Sequence, residues 1–186
     1  MGFEFAKLEK SDQEYPILIQ KSSYGDDRGS FEETYKYSEF SSNNINIDFT
    51  QDNLSYSKKG VVRGLHYQIN PKAQAKLCSV LQGKVIDFAV DIRKSSSTFG
   101  KVFSVELSYK NKKMFYIPVG FAHGFISLED NTIFSYKCGE EYSKESEAGI
   151  RYYDPELDLK LERFGIDLIV SPKDLELPYL NQAKLF

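Results

Sequence analysis

The sequence predicts an all-β fold, a jelly-roll sandwich or barrel carrying only a few short helices. Three observations lead there: apolar residues alternating with period two, turn residues at regular intervals, and an abundance of aromatic side chains. Between Gly83 and Arg93, Ile86, Phe88, Val90 and Ile92 fall on one face, while Val85, Asp87, Ala89, Asp91 and Arg93 fall on the other. Gln82-Gly83, Tyr109-Lys110-Asn111 and Glu129-Asp130-Asn131 punctuate the alternating runs. The 14 Phe and 13 Tyr favour strands and suit the walls of a ligand cavity.

Along the chain, strands are expected near 15–20, 28–35, 45–52, 61–67, 75–82, 84–92, 101–108, 113–118, 123–128 and 131–138. Ile45-Asn46-Ile47-Asp48-Phe49 and Val102 to Leu107 qualify by the same alternation. Helix is expected around Ser38–Asn44 and near the C-terminus. The tail from Tyr153, which carries three prolines, is expected to wrap the barrel as irregular structure. About ten short strands with no helices between them fit an antiparallel sandwich. Residues 1–186 contain no linker, repeat or low-complexity tract, so the whole chain reads as one domain.

Composition narrows the function classes. A net charge of −3 argues against nucleic acid as a partner, so an anionic ligand would need a local cluster of Lys and Arg. No apolar run approaches membrane-spanning length and no basic-then-apolar signal segment opens the chain, so a cytoplasmic protein without a membrane partner is expected. Cys78 and Cys138 are the two cysteines and lack CxxC spacing; buried thiols in a reducing compartment are expected.

The chain has two histidines, each in a distinctive setting. His123 closes Ile117-Pro118-Val119-Gly120-Phe121-Ala122-His123, a P-x-G-x-x-H pattern similar to the second motif of cupins. Metal-binding cupins usually add an H-x-H pair and a Glu, whereas here the matching region offers His66 behind Gly64-Leu65. That is too few ligands for a transition-metal centre, and none is expected. Asp87, among apolar neighbours, needs a hydrogen-bonding partner, for which His123 is the candidate.

His66 taken alone reads more readily as structural, but its neighbours change that reading. On a regular strand Arg63 and His66 would face opposite sides; a bulge at Gly64 would turn both into one cavity. An imidazole flanked by cations such as Arg63 and Lys76 suits a base that removes a proton next to a carbonyl.

The ordered set of motifs resembles the dTDP-4-dehydrorhamnose 3,5-epimerase family over nearly the whole chain. It comprises Gly25-Asp26-Asp27-Arg28-Gly29, Gln51-Asp52-Asn53, Val62-Arg63-Gly64-Leu65-His66-Tyr67-Gln68, Ala75-Lys76-Leu77 and Asp87 to Arg93. It continues through Ile117 to Phe125, Tyr136-Lys137 and Ser171-Pro172-Lys173-Asp174. The resemblance implies a cupin-type jelly roll, a homodimer that exchanges strands, no cofactor, and a dTDP-linked 4-keto-6-deoxy sugar as substrate. It makes His66 the general base with Asp174 as its orienting carboxylate, Tyr136 the opposing acid, and Lys76 the cation at the C4 carbonyl oxygen. Arg28, Glu33, Gln51, Asp52, Asn53, Arg63, His123, Glu147 and Lys173 match substrate-contacting positions, and Tyr142 the aromatic that stacks on thymine. Departures are few: Ser30 stands where many members have Phe, and Tyr152 or Tyr153 replaces a Trp. Two alternatives stay open: an enzyme inverting C3 alone or C5 alone on a related dTDP- or GDP-linked sugar, and a non-catalytic sugar-nucleotide-binding cupin.

Overall fold

The strands of the computed structural model, which describes residues 2–9 and 14–186, sort into two sheets and a separate hairpin. The first sheet runs β1 (Phe3–Lys7), β2 (Ile17–Lys21), β10 (Lys113–Ile117), β7 (Lys76–Gln82), β12 (Thr132–Cys138), β5 (Gln51–Ser57). The second runs β13 (Glu147–Gly149), β6 (Val61–Gln68), β11 (Phe121–Ser127), β8 (Lys84–Asp91), β9 (Val102–Ser108). β14 (Ile169–Val170) adds a parallel pairing to β6, and β3 (Ser23–Asp26) with β4 (Gly29–Glu32) forms the hairpin. This is the expected jelly-roll sandwich.

The alternation in each strand explains which side chains meet. Cys78, Val80, Phe115, Ile117 and Phe134 of the first sheet interdigitate with Val85, Ala89, Phe103, Phe121 and Phe125 of the second. Phe115 and Phe134 are fully buried, and each such side chain contributes roughly 1.5–3 kcal/mol. The other face of β8 is apolar as well, because the C-terminal tail covers it. Phe88, Val90 and Ile92 pack under Leu157, Leu159, Leu161 and Leu180. The tail is thus a third layer over the second sheet, with short 3-10 turns at Leu161–Phe164 and Leu180–Gln182. On the opposite side, helix α1 (Tyr37–Ser42) sets Phe40 edge-on against Phe3 and Phe5 to cover the first sheet.

One expected strand is displaced. Residues 45–49 are extended but unpaired in a ladder, and the strand falls instead at Gln51–Ser57. Its partner β12 ends at Cys138, opposite Gln51, and Thr50 makes the last backbone bond to it, so residues 45–49 have no part of β12 to pair with. Ile45, Ile47 and Phe49 alternate because they dock into the cluster around Phe40. The strand expected at 28–35 is in fact the second arm of a hairpin, Gly29–Glu32. β1, β13 and β14, of two to five residues, carry too little pattern to have been read. Among the described residues no helix is long and apolar enough to cross a membrane.

Candidate active site

β6 carries the run Arg63 to Gln68 and pairs with β11, setting His66 opposite His123 and Arg63 opposite Phe125. Three steps on β6 therefore span two on β11, which is the bulge the glycine suggested. Gly64 takes φ +104°, and a Cβ there would stand 2.5 Å from the His123 carbonyl oxygen. The bulge resets the pleat, so Arg63 and His66 both line one cavity of about 560 Å³ between the sheets. The Arg63 guanidinium donates to Ser57 Oγ at 3.3 Å and to the Tyr56 carbonyl at 3.2 Å, which aims it across the cavity edge.

His66 is held from the tail. β14 docks beside Val61 and Val62, and helix α2 (Pro172–Leu175) follows it, capped by Ser171, whose hydroxyl accepts from the Asp174 amide. Asp174 Oδ1 lies 2.7 Å from His66 Nε2, and the Gly64 amide donates to its Oδ2 at 3.4 Å. Burial works against the Asp174 charge, yet the bonds from His66, Gly64 and Ser171 outweigh it and hold the carboxyl below its ordinary value. An imidazole whose Nε2–H donates to that carboxylate has its other ring nitrogen, Nδ1, turned to other partners.

The facing sheet supplies the other half. Tyr136 of β12 and Lys76 of β7 line the cavity, with Lys76 Nζ 5.9 Å from the Tyr136 ring centroid. Lys76 is 8% exposed, and its ammonium donates to the His66 carbonyl at 3.4 Å, bridging the two sheets. Burial pushes its pKa down, opposed by Cys138, Cys78 and Asp87 nearby. Burial likewise pushes the Tyr136 phenol up to about 12, so it stays a proton donor at neutral pH. On the cavity floor His123 Nε2 stands 2.7 Å from Asp87 Oδ1, the pairing expected for that buried carboxylate. Burial lowers the His123 pKa in spite of Asp87, which keeps the ring neutral.

A connected polar rim surrounds the mouth. Tyr142 donates its hydroxyl to Glu147 Oε2 at 3.1 Å, and Lys173 donates to Glu147 Oε1 at 2.6 Å. The Tyr142 amide donates to Gln51 Oε1 at 2.8 Å, and Gln51 in turn donates to Asn53 Oδ1 at 2.9 Å. An imidazole braced by a carboxylate, with a buried ammonium and a phenol on the facing sheet, is an arrangement that can remove and return a proton beside a ketone.

The family model described as dTDP-4-dehydrorhamnose 3,5-epimerase matches residues 14–182. The chain belongs to this family. Its similarity to the dTDP-4-dehydrorhamnose 3,5-epimerase of Methanothermobacter thermautotrophicus is 46% identity over 160 residues, 85% of each chain. The crystal structure of the enzyme named dTDP-4-dehydrorhamnose 3,5-epimerase from Sulfolobus tokodaii superposes with a TM-score of 0.89 at 43% identity, covering 100% of this chain and 99% of that one. The dTDP-6-deoxy-D-glucose-3,5-epimerase of Legionella pneumophila, solved with dTDP-4-keto-L-rhamnose, gives 0.88 at 42% identity, over 97% and 94%.

Of the positions that the epimerase family pattern singled out, most converge on the cavity: Gln51, Asn53, Arg63, His66, Lys76, His123, Tyr136, Tyr142, Glu147, Lys173 and Asp174. Three do not line it within one chain. Arg28 sits at the tip of the β3–β4 hairpin, paired with Asp26 at 2.5 Å, and Glu33 follows that hairpin. Asp52 points to the opposite face of β5 from Gln51 and Asn53, where it accepts from Lys137 at 2.9 Å. Ser30, Tyr152 and Tyr153 also lie outside the lining, so those departures from the epimerase pattern leave the cavity wall unchanged. Gln68 was missed: it is 4% exposed, lines the cavity, and accepts from the Ser143 amide at 2.7 Å to fix the loop bearing Tyr142. Its signal was available, since it stands one strand repeat after His66.

Proposed function

We propose that this protein converts dTDP-4-dehydro-6-deoxy-D-glucose to dTDP-4-dehydro-L-rhamnose by inverting C3 and C5, a step of dTDP-L-rhamnose biosynthesis. The observation that carries the reading is the division of the site between two walls. His66, held by Asp174 of α2, stands on the second sheet, and Tyr136 with Lys76 on the first. Inversion requires removing a proton from one face of the ring and returning one to the other, which a base and an acid on facing walls can do.

The C4 ketone acidifies the hydrogens at C3 and C5. His66 Nδ1 takes the proton, the electron pair moves onto the C4 oxygen, and Lys76 steadies the resulting enolate in a water-poor cavity. Tyr136 then protonates the carbon from the opposite side. Every step is a proton transfer, so the reading invokes no cofactor. Tyr142 supplies the surface for the thymine ring, while Arg63 and Lys173 meet the diphosphate.

The same reading makes 1–186 one epimerase domain working as a cytoplasmic homodimer. The exposed hairpin supports the dimer: Arg28, Tyr24 and Phe31 point away from their own chain, and Leu54 and Tyr56 are exposed along β5. A partner subunit covering that surface would bring Arg28 and Glu33 to a substrate diphosphate.

The deciding experiment incubates the protein with dTDP-4-dehydro-6-deoxy-D-glucose in deuterated water and follows the ring hydrogens by NMR. Exchange at both C3 and C5 is expected. Exchange at one carbon alone makes it a mono-epimerase, and no exchange with retained binding makes it a sugar-nucleotide-binding protein. Titration with dTDP against GDP identifies the nucleotide, with dTDP expected to bind more tightly.

A further inference from the structure

Behind the cavity floor, three strands bring three donor atoms to a place closed to solvent. Cys78 of β7, Asp87 of β8 and His123 of β11 offer a sulfur, a carboxylate oxygen and a ring nitrogen, all within 4.8 Å of one another. Cys78 and Asp87 are 0% exposed and His123 is 6% exposed. His123 Nε2 lies 3.7 Å from Cys78 Sγ and 2.7 Å from Asp87 Oδ1. The second carboxylate oxygen, Asp87 Oδ2, is buried without a hydrogen-bond partner. The Cys78 thiol stands beside that carboxylate, and burial together with the Asp87 charge pushes its pKa well up, so it keeps its proton until a cation displaces it. Epimerisation as derived above uses neither Cys78 nor that oxygen.

We propose that Cys78, Asp87 and His123 form a binding site for a thiophilic divalent cation of the Zn²⁺ class, and that its occupation inhibits the enzyme. Bonds of about 2.3 Å to sulfur and about 2.05 Å to nitrogen put the two donors about 3.5 Å apart in a tetrahedral site. The 3.7 Å separation is close to that without any rearrangement of the strands. On binding, the Cys78 thiol loses its proton to solvent, and the ring N–H passes from Nε2 to Nδ1 so that Nε2 can ligate. Asp87 turns its free oxygen to the ion. One thiolate and one carboxylate neutralise the dication, which offsets the cost of burying it near the Lys76 ammonium. Sulfur and imidazole donors select this class over Mg²⁺ and Ca²⁺. His123 also lines the cavity, so the ion would pin a ring that faces the substrate.

Titration of the whole protein with Co²⁺ tests the site without reference to turnover. One equivalent should produce the near-ultraviolet band of a cobalt–thiolate bond in the wild type and in Cys138→Ser, and none in Cys78→Val. Cys78→Ser serves if the valine variant misfolds, because a serine hydroxyl gives no such band. Zn²⁺ should displace Co²⁺ and lower turnover at least ten-fold, reversibly on chelation, while Cys78→Val keeps its basal turnover and escapes the inhibition. Absence of the band in the wild type, its persistence in Cys78→Val, or Zn²⁺ occupancy with undiminished turnover would each overturn the proposal.

Discussion

His66 Nε2 and Asp174 Oδ1 lie 2.7 Å apart although 108 residues separate them along the chain. The carboxylate reaches the imidazole because β14 pairs with the strand that carries His66, and α2 follows it after the single residue Ser171. His66 and Asp174 are thus fixed to a single structural unit. His66→Ala should abolish hydrogen exchange at both carbons and lower turnover by roughly 10²–10⁴. Asp174→Asn should keep the fold and still lose about 10² or more in kcat, since an amide no longer selects the productive tautomer. Exchange rates by NMR and steady-state kinetics measure both, and full turnover by His66→Ala would eliminate the assignment.

Tyr136→Phe removes the donor on the facing sheet while leaving the base in place. Some solvent exchange at C3 should survive, and net epimerisation should fall by about 10². Comparing the deuterium content of recovered substrate with the yield of inverted product separates the two effects.

Lys76→Met removes the ammonium that the proposed mechanism sets at the enolate oxygen and puts an apolar chain in its place. A loss of about 10²–10³ in kcat is expected, with a smaller change in KM. An unchanged kcat would mean that the enolate is steadied elsewhere.

Gly64→Ala tests the bulge. The residue sits at φ +104°, and its new Cβ would meet the His123 carbonyl and the Gly124 Cα at 2.5 and 2.8 Å. A loss of more than about 1 kcal/mol is expected, together with lost activity as Arg63 and His66 part from the cavity. Chemical denaturation of the variant and the wild type gives the difference directly.

The folded protein holds Asp174 below its ordinary carboxylate value. Ionised Asp174 therefore stabilises the fold above about pH 4, and that contribution is lost as the pH falls through the depressed folded value. Melting temperatures of wild type and Asp174→Asn should differ at neutral pH and converge in acid, once the pH is below the depressed folded value. A gap that stays constant with pH would show that the charge contributes nothing.

Alternation and motif spacing along the chain marked the jelly roll and most of the residues that line the cavity. Period-two alternation marks strands wherever a ladder partner exists, and a glycine between Arg63 and His66 marks the bulge that brings them together. The buried pairing of Asp87 with His123 was legible too, because an acid among apolar residues must find a donor. Alternation misled at Ile45 to Phe49, since it reports which side chains are buried and says nothing of whether a neighbouring strand is there to pair. Folding in three dimensions set Arg28 and Glu33 away from their own chain's cavity and turned Asp52 outward while its neighbours face in. It alone brought Cys78 beside Asp87 and His123, because those three come from different strands and no spacing in sequence links them. Local pattern fixes what each strand presents on each face; which faces meet depends on contacts between distant parts of the chain.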